Sequence, residues 1–187
     1  IRAGKSMLIL PNHPGLTDPL IMYSRIGGLR PRVLADSHQM GGPLRGAVAR
    51  AMHMIVMPDI TRDGAGVEER VKEAISRIGE ALRAGDNVLL YPSGKIYRSS
   101  REVLGGNSGV AQILKEAPEA RIILARTTGL WGSAFGYGPG RAPDFFKELL
   151  RGALRLLANG VFFMPRRRVV VEFAEPADFP RHADKRE

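Results

Sequence analysis

The segment Asn12-His13-Pro14-Gly15-Leu16-Thr17-Asp18-Pro19 places a histidine five residues before a carboxylate, directly after the apolar run Met7-Leu8-Ile9-Leu10. An imidazole exchanges protons near neutral pH, with an ordinary pKa of ~6.5. A carboxylate on one ring nitrogen would fix the tautomer and stabilise the imidazolium formed when the other nitrogen takes a proton. No serine nucleophile motif accompanies the pair, and the chain has no cysteine at all. A His–Asp pair of this kind leaves the nucleophile to the substrate, most simply a hydroxyl, which is the logic of acyl transfer. The same residues also read as an ordinary helix start, with Asp18 as capping carboxylate, proline at the first helical position and Pro14-Gly15 as turn chemistry.

A second candidate lies at Asn87-Val88-Leu89-Leu90-Tyr91-Pro92-Ser93-Gly94-Lys95-Ile96-Tyr97-Arg98-Ser99. An apolar strand runs into a Pro-Ser-Gly turn followed by two cations. Gly94 permits close backbone approach, and Ser93 with the turn amides can donate to phosphate oxygens. Lys95 adds charge, and Arg98 can grip a phosphate with two parallel hydrogen bonds. Cations after a turn are also ordinary surface chemistry, so this segment gains weight only together with the first.

The elements that must hold these turns alternate along the chain. Strands are expected at Ser6–Leu10, Arg32–Ala35, Met54–Met57, Asn87–Tyr91, Arg121–Ala125 and Arg168–Phe173. Helices are expected at Pro19–Ile26, Pro43–Met52, Val67–Ala84, Ser108–Glu116 and Pro143–Asn159. Val67, Val71, Ala74, Ile75, Ile78 and Leu82 recur at helical spacing, and Gly85 stops that run. Alternation of this kind predicts an α/β domain with a mixed, largely parallel sheet flanked by helices. A length of 187 residues fits one domain over 1–187. The start without methionine and the charged end from Arg181 also fit a domain excised from a longer multidomain chain. No apolar run approaches the ~20 residues of a membrane span.

The two turns, in this order, resemble the glycerolipid acyltransferase family, which includes glycerol-3-phosphate and 1-acylglycerol-3-phosphate acyltransferases. Its first motif, Asn-His, four residues, Asp, is met by Asn12-His13 and Asp18. Its third, Phe-Pro-Glu-Gly-Thr-Arg-Ser, is matched in place by Tyr91-Pro92-Ser93-Gly94-Lys95, with serine where the family has glutamate. The stretch Met54 to Asp63 resembles the second motif, with Arg62 as its cation, and Arg121 to Arg126 resembles the fourth. The likeness spans roughly Ser6 to Phe173. Leu104-Gly105-Gly106-Asn107-Ser108 further resembles acyltransferase domains fused to an acyl-CoA or acyl-carrier-protein synthetase, which implies an adenylate-forming neighbour.

The resemblance implies an α/β enzyme that moves a fatty acyl group from acyl-CoA or acyl carrier protein to a glycerolipid hydroxyl. His13 would be the general base and Asp18 its partner; Arg62, Ser93, Gly94, Lys95 and Arg98 would hold the acceptor's phosphate. Backbone amides near Gly15 or Gly94 would receive the oxyanion. No tightly bound cofactor or metal is expected. His38, His53 and His182 have no carboxylate at suggestive spacing and read as core or surface residues.

The net charge of +9, from 28 Lys and Arg against 19 Asp and Glu, suits an anionic partner. Only 6% of residues are aromatic and no basic strip interleaves them, so nucleic acid is not expected. Arg166-Arg167-Arg168 reads as a solvated loop. Phe145, Phe146, Leu149, Leu150, Ala153, Leu154 and Leu157 form an apolar helical stripe beside Lys147, Arg151 and Arg155. Such a stripe either packs on the sheet or lies in a bilayer interface, with Phe146, Leu150, Arg151, Leu154 and Arg155 as the contacts. The interfacial alternative implies peripheral attachment on the cytoplasmic face of a membrane. Gly129 to Arg141, with five glycines up to Gly140 among Trp131, Phe135 and Tyr137, is either a packed surface loop or a lid. Two rivals remain: a non-catalytic module recruiting anionic lipid or a carrier protein, and an acyltransferase whose acceptor lacks phosphate.

Overall fold

The computed structural model describes residues 5–36, 54–58, 64–99, 101–104, 108–160 and 166–181. The expected helix Pro43–Met52, the candidate cation Arg62 and the histidines His38, His53 and His182 lie outside them.

Six strands are described: β1 Met7–Pro11, β2 Arg32–Asp36, β3 Ile55–Met57, β4 Val88–Leu89, β5 Arg121–Thr128 and β6 Val170–Ala174. They form one sheet in the order β3-β2-β4-β1-β5-β6. All neighbours are parallel except β5 and β6, so the expected mixed, largely parallel α/β fold is found. The described helices are α1 Asp18–Ile26, α2 Val67–Arg83, α3 Gly109–Glu116 and α4 Phe145–Asn159.

β1 occupies a central place, and all five of its residues are buried, as a parallel strand covered on both faces requires. Successive side chains alternate between the faces. Leu8 and Leu10 join Val88 and Ile122 under α2 and α3, packing on Ile75, Ile78, Leu82, Ile113 and Leu114. Met7 and Ile9 join Val33, Leu89, Tyr91 and Ala125 under Met22 and Ile26 of α1. Burial of this kind contributes about 25 cal/mol per Å² of apolar surface. α2 and α3 cross so closely that a Cβ on Gly79 would lie 2.5 Å from the Glu116 Cβ, a contact only glycine permits.

Of the boundaries that differ from the sequence reading, two have a visible cause. β4 is limited to Val88–Leu89, because the Asn87 side chain replaces ladder bonds: it accepts from the Met7 amide at 3.1 Å and donates to the Leu29 carbonyl at 2.9 Å. Pro92 and the turn beyond it close the other end. β5 runs on to Thr128 because β6 returns antiparallel beside it, pairing Thr128 with Val170.

The C-terminal ends of β1 and β4 lie side by side, which puts the two candidate turns together on one edge of the sheet. A cleft of about 490 Å³ at the opposite edge, lined by Lys5, Leu82, Arg83 and Pro118 among others, holds neither turn.

Candidate active site

The turn after β1 is tied to β5 before any chemistry begins. Asn12 Nδ2 donates to the Thr127 carbonyl at 2.9 Å, and its Oδ1 accepts from the Thr127 amide at 2.6 Å. This side chain therefore mimics a strand residue one step past the end of β1, and it delivers His13 to the sheet edge.

His13 Nδ1 lies 2.8 Å from Asp18 Oδ2, with the Asp18 side chain fully buried and that of His13 16% exposed. A carboxylate there accepts a hydrogen bond from Nδ1–H, so Nε2 is left as the acceptor able to receive a proton. Asp18 is the first residue of α1, with Thr17 at the cap position. Its side chain bonds backward, to His13 and in a longer 3.4 Å contact to the Gly15 amide, so the reading of Asp18 as a forward-capping carboxylate is corrected. Tyr91 packs its ring on the imidazole, centroids 4.3 Å apart. Burial first, and the charge of Asp18 second, push the Tyr91 phenol up, so it stays protonated beside that carboxylate.

The turn after β4 meets the same histidine from the other side. Tyr97 donates its amide to the His13 carbonyl at 3.2 Å. Glu102 Oε1 accepts from the His13 amide at 3.1 Å and from Ser93 Oγ at 2.6 Å. Burial, then the charge of Glu102, raises the Tyr97 phenol. Ser93, expected as a phosphate donor, is buried, and its hydroxyl lies within hydrogen-bond reach of Glu102 at 2.6 Å and of the Lys95 carbonyl at 3.0 Å. Gly94 takes the left-handed conformation its turn needs, φ +65°, and its amide donates to the Tyr91 carbonyl at 3.0 Å. Lys95 and Arg98 are exposed beside the site, Arg98 with its guanidinium 5.4 Å from the Tyr137 ring centre.

The glycine-rich stretch from Gly129 to Arg141 packs directly on the histidine turn. Leu16 donates its amide to the Phe135 carbonyl at 2.8 Å, and a Cβ on Gly136 would lie 2.9 Å from the Pro14 carbonyl oxygen. Tyr97 stacks on Trp131 at 5.5 Å. Arg167 holds the stretch from outside, donating to the carbonyls of Gly129, Trp131 and Gly132, which corrects its reading as part of a merely solvated cluster.

From this loop the chain enters α4. Phe135 contacts Phe145 at 5.9 Å between ring centres. The residues of α4 not exposed are Phe145, Glu148 and Gly152, spaced to form one narrow face. Glu148 is buried and accepts from Arg141 at 2.7 Å and Arg151 at 2.5 Å. The alternative in which the leucine stripe packs on the sheet is overturned: Phe146, Leu149, Leu150, Leu154 and Leu157 are all exposed. Arg155 stands beside them, whereas Arg151 is already engaged by Glu148.

Sequence reasoning found His13 and Asp18 because both lie in one turn. It missed Glu102, Tyr97 and Phe135 as members of the site, since each arrives from a separate loop with no spacing rule to announce it. Tyr91 carried a weak signal, an aromatic residue at the end of the strand that must adjoin β1.

An acyltransferase family model matches residues 1–127, from the start of the chain to the strand that anchors Asn12. Among solved structures the fold is similar to that of the 1-acyl-sn-glycerophosphate (LPA) acyltransferase PlsC from Thermotoga maritima, with a TM-score of 0.52 and 14% sequence identity. That likeness covers 69% of this chain and 47% of the other, so the chain spans about half the length of that protein. The comparison with curated proteins gave no match.

Proposed function

The chain belongs to the acyltransferase family, and from that premise we propose that it moves a fatty acyl group from acyl-CoA or acyl carrier protein to a hydroxyl of a glycerolipid acceptor. The observation that carries the mechanism is the 2.8 Å contact between His13 Nδ1 and the fully buried Asp18 carboxylate. Nε2 takes the proton of the acceptor hydroxyl as its oxygen attacks the thioester carbonyl. Asp18 stabilises the imidazolium. Collapse of the tetrahedral intermediate forms the ester and expels the thiolate, which recovers the proton from His13. No acyl-enzyme intervenes. Family membership sets aside the non-catalytic recruiting module.

Lys95 and Arg98 are the described cations we assign to an acceptor phosphate; Arg62 belongs to the same proposal. The carboxylate of Glu102 beside the Ser93 turn favours a second reading, an acceptor without phosphate. We further place α4 at a membrane interface on the cytoplasmic side, supported by exposed Phe146, Leu150 and Leu154 beside Arg155. Among the described residues no helix is long and apolar enough to cross a membrane, so the contact would be peripheral.

The test is turnover of an acyl-CoA with a lysophospholipid acceptor. His13→Ala is expected to lower kcat at least ~100-fold with an unchanged melting curve. Asp18→Asn removes the negative charge that stabilises the imidazolium, and should cost at least ~10-fold. An Asp18→Asn variant of normal activity removes Asp18 from the mechanism. Neutralising Lys95 or Arg98 should raise the acceptor KM and leave the donor KM alone, because a ground-state contact is lost. Unchanged acceptor kinetics in both would select the phosphate-free acceptor.

A further inference from the structure

Both peptide groups of His13 are held by the segment that follows β4. Its carbonyl accepts from Tyr97 and its amide donates to Glu102. The second contact is unusual in its sharing. One carboxylate oxygen, Glu102 Oε1, receives the His13 amide at 3.1 Å and the Ser93 hydroxyl at 2.6 Å, so donors from the ends of two adjacent strands converge on it. Ser93 is 4% exposed, which keeps water from competing for its proton. No lysine or arginine among the described residues forms an ion pair with Glu102, so its charge is directed to these neutral donors. Hydrogen bonds to an ionised acceptor are shorter and stronger than neutral ones, and 2.6 Å is in that range. Ser93 alone is too short to make this span; the carboxylate comes from nine residues further along the chain.

We infer that Glu102 is a positioning residue of the acyl transfer proposed above, clamping the Ser93 turn to the His13 peptide and thereby fixing the imidazole where the acceptor hydroxyl must meet it. The Asp18 contact fixes the tautomer and the plane of the ring, but it cannot fix the backbone from which the ring hangs. Glu102 and Tyr97 do that, one on each side of the same residue. A displacement of about 1 Å at a reacting group can cost a hundredfold in rate, so a clamp on the base has kinetic weight without touching substrate.

The test uses the whole chain, lauroyl-CoA and a lysophosphatidic acid acceptor, with Glu102→Ala, Glu102→Gln, Ser93→Ala and the double alanine variant. Glu102→Ala is expected to lower kcat at least ~10-fold while the thioester KM stays within ~3-fold, the pattern of a misplaced base rather than lost binding. Glu102→Gln keeps an oxygen that accepts both donors, and should return kcat to within ~3-fold of the parent. The double variant should fall short of the product of the two single losses, since the Ser93 and His13 bonds to Glu102 end on one oxygen. An activity-independent readout accompanies these: the His13 amide proton resonance should move upfield in Glu102→Ala and hold in Glu102→Gln. An unmoved amide resonance in Glu102→Ala overturns the clamp, as does parental kcat in that variant or full additivity with Ser93→Ala. A parent protein inactive with every thioester tried would defeat the proposed reaction instead, and with it the kinetic role of Glu102. The amide resonance would then report the contact alone.

Discussion

α2 and α4 carry the same kind of pattern, an apolar stripe at helical spacing with charges on the other side, yet they use it in opposite ways. In α2 the stripe is the inner face: Ala74, Ile75, Ile78, Ala81 and Leu82 are buried against the sheet and α3. In α4 the inner face is Phe145, Glu148 and Gly152, and the leucines point away from the protein, with Leu157 82% exposed. α4 is tied to the preceding loop by Arg141 on buried Glu148 and by Phe145 on Phe135, and its apolar side is left open. The comparison teaches that a hydrophobic stripe shows which face of a helix avoids water and leaves open what covers it.

Four measurements break or sharpen that contrast. The largest effect is expected from Ile78→Ala in α2, where a wholly buried side chain leaves a cavity: about 2–5 kcal/mol of stability, read as a lowered midpoint in urea. A loss under ~1 kcal/mol would mean that α2 is not the packed partner described. Next comes the paired reversal Lys147→Glu and Arg155→Glu on α4. Each cation near an anionic surface is worth about 1 kcal/mol, so affinity for anionic vesicles should fall more than tenfold while the melting curve holds. Raised salt should weaken vesicle binding of the parent too, through screening. A parent that stays in the supernatant at low salt ends the interfacial reading.

Arg151→Glu separates the two cation roles within α4. Its carboxylate would face buried Glu148, so it should lower stability by about 1–2 kcal/mol, since the guanidinium is half in water, read as a lower melting temperature. An unchanged melting temperature would group Arg151 with Arg155 as a cation of the proposed interface. The smallest effect belongs to Leu154→Ser, expected to change stability by under ~0.5 kcal/mol while reducing vesicle binding. A large loss of stability there would show that the stripe is covered by protein after all.

The contrast also marks what was legible in the sequence. The alternation of strands and helices, the parallel sheet and α2 were readable because their signals are periodic and local. His13 and Asp18 were readable because a single turn holds both. The outward face of α4 was not, since periodicity gives a face and no partner. Nor was the site's second carboxylate: Glu102, from a later loop, accepts a hydrogen bond from the Ser93 hydroxyl. The same holds for Phe135, whose carbonyl meets the Leu16 amide across more than a hundred residues of chain. Contacts closed by tertiary structure leave no spacing to read.

The placement of β1 has a consequence for how the molecule comes into being. The strand that leads to His13 precedes both of its neighbours in the chain, Val88–Leu89 and Arg121–Ala125, and Asn12 needs Thr127. Pairings this distant in sequence slow folding, because the loop must close before the contact rewards it. A growing chain therefore holds the His13–Asp18 turn without its frame until β5 has been made, and a nascent fragment ending short of β5 carries every residue of that turn without the strands that position it. The site is assembled late, with the closing of the sheet.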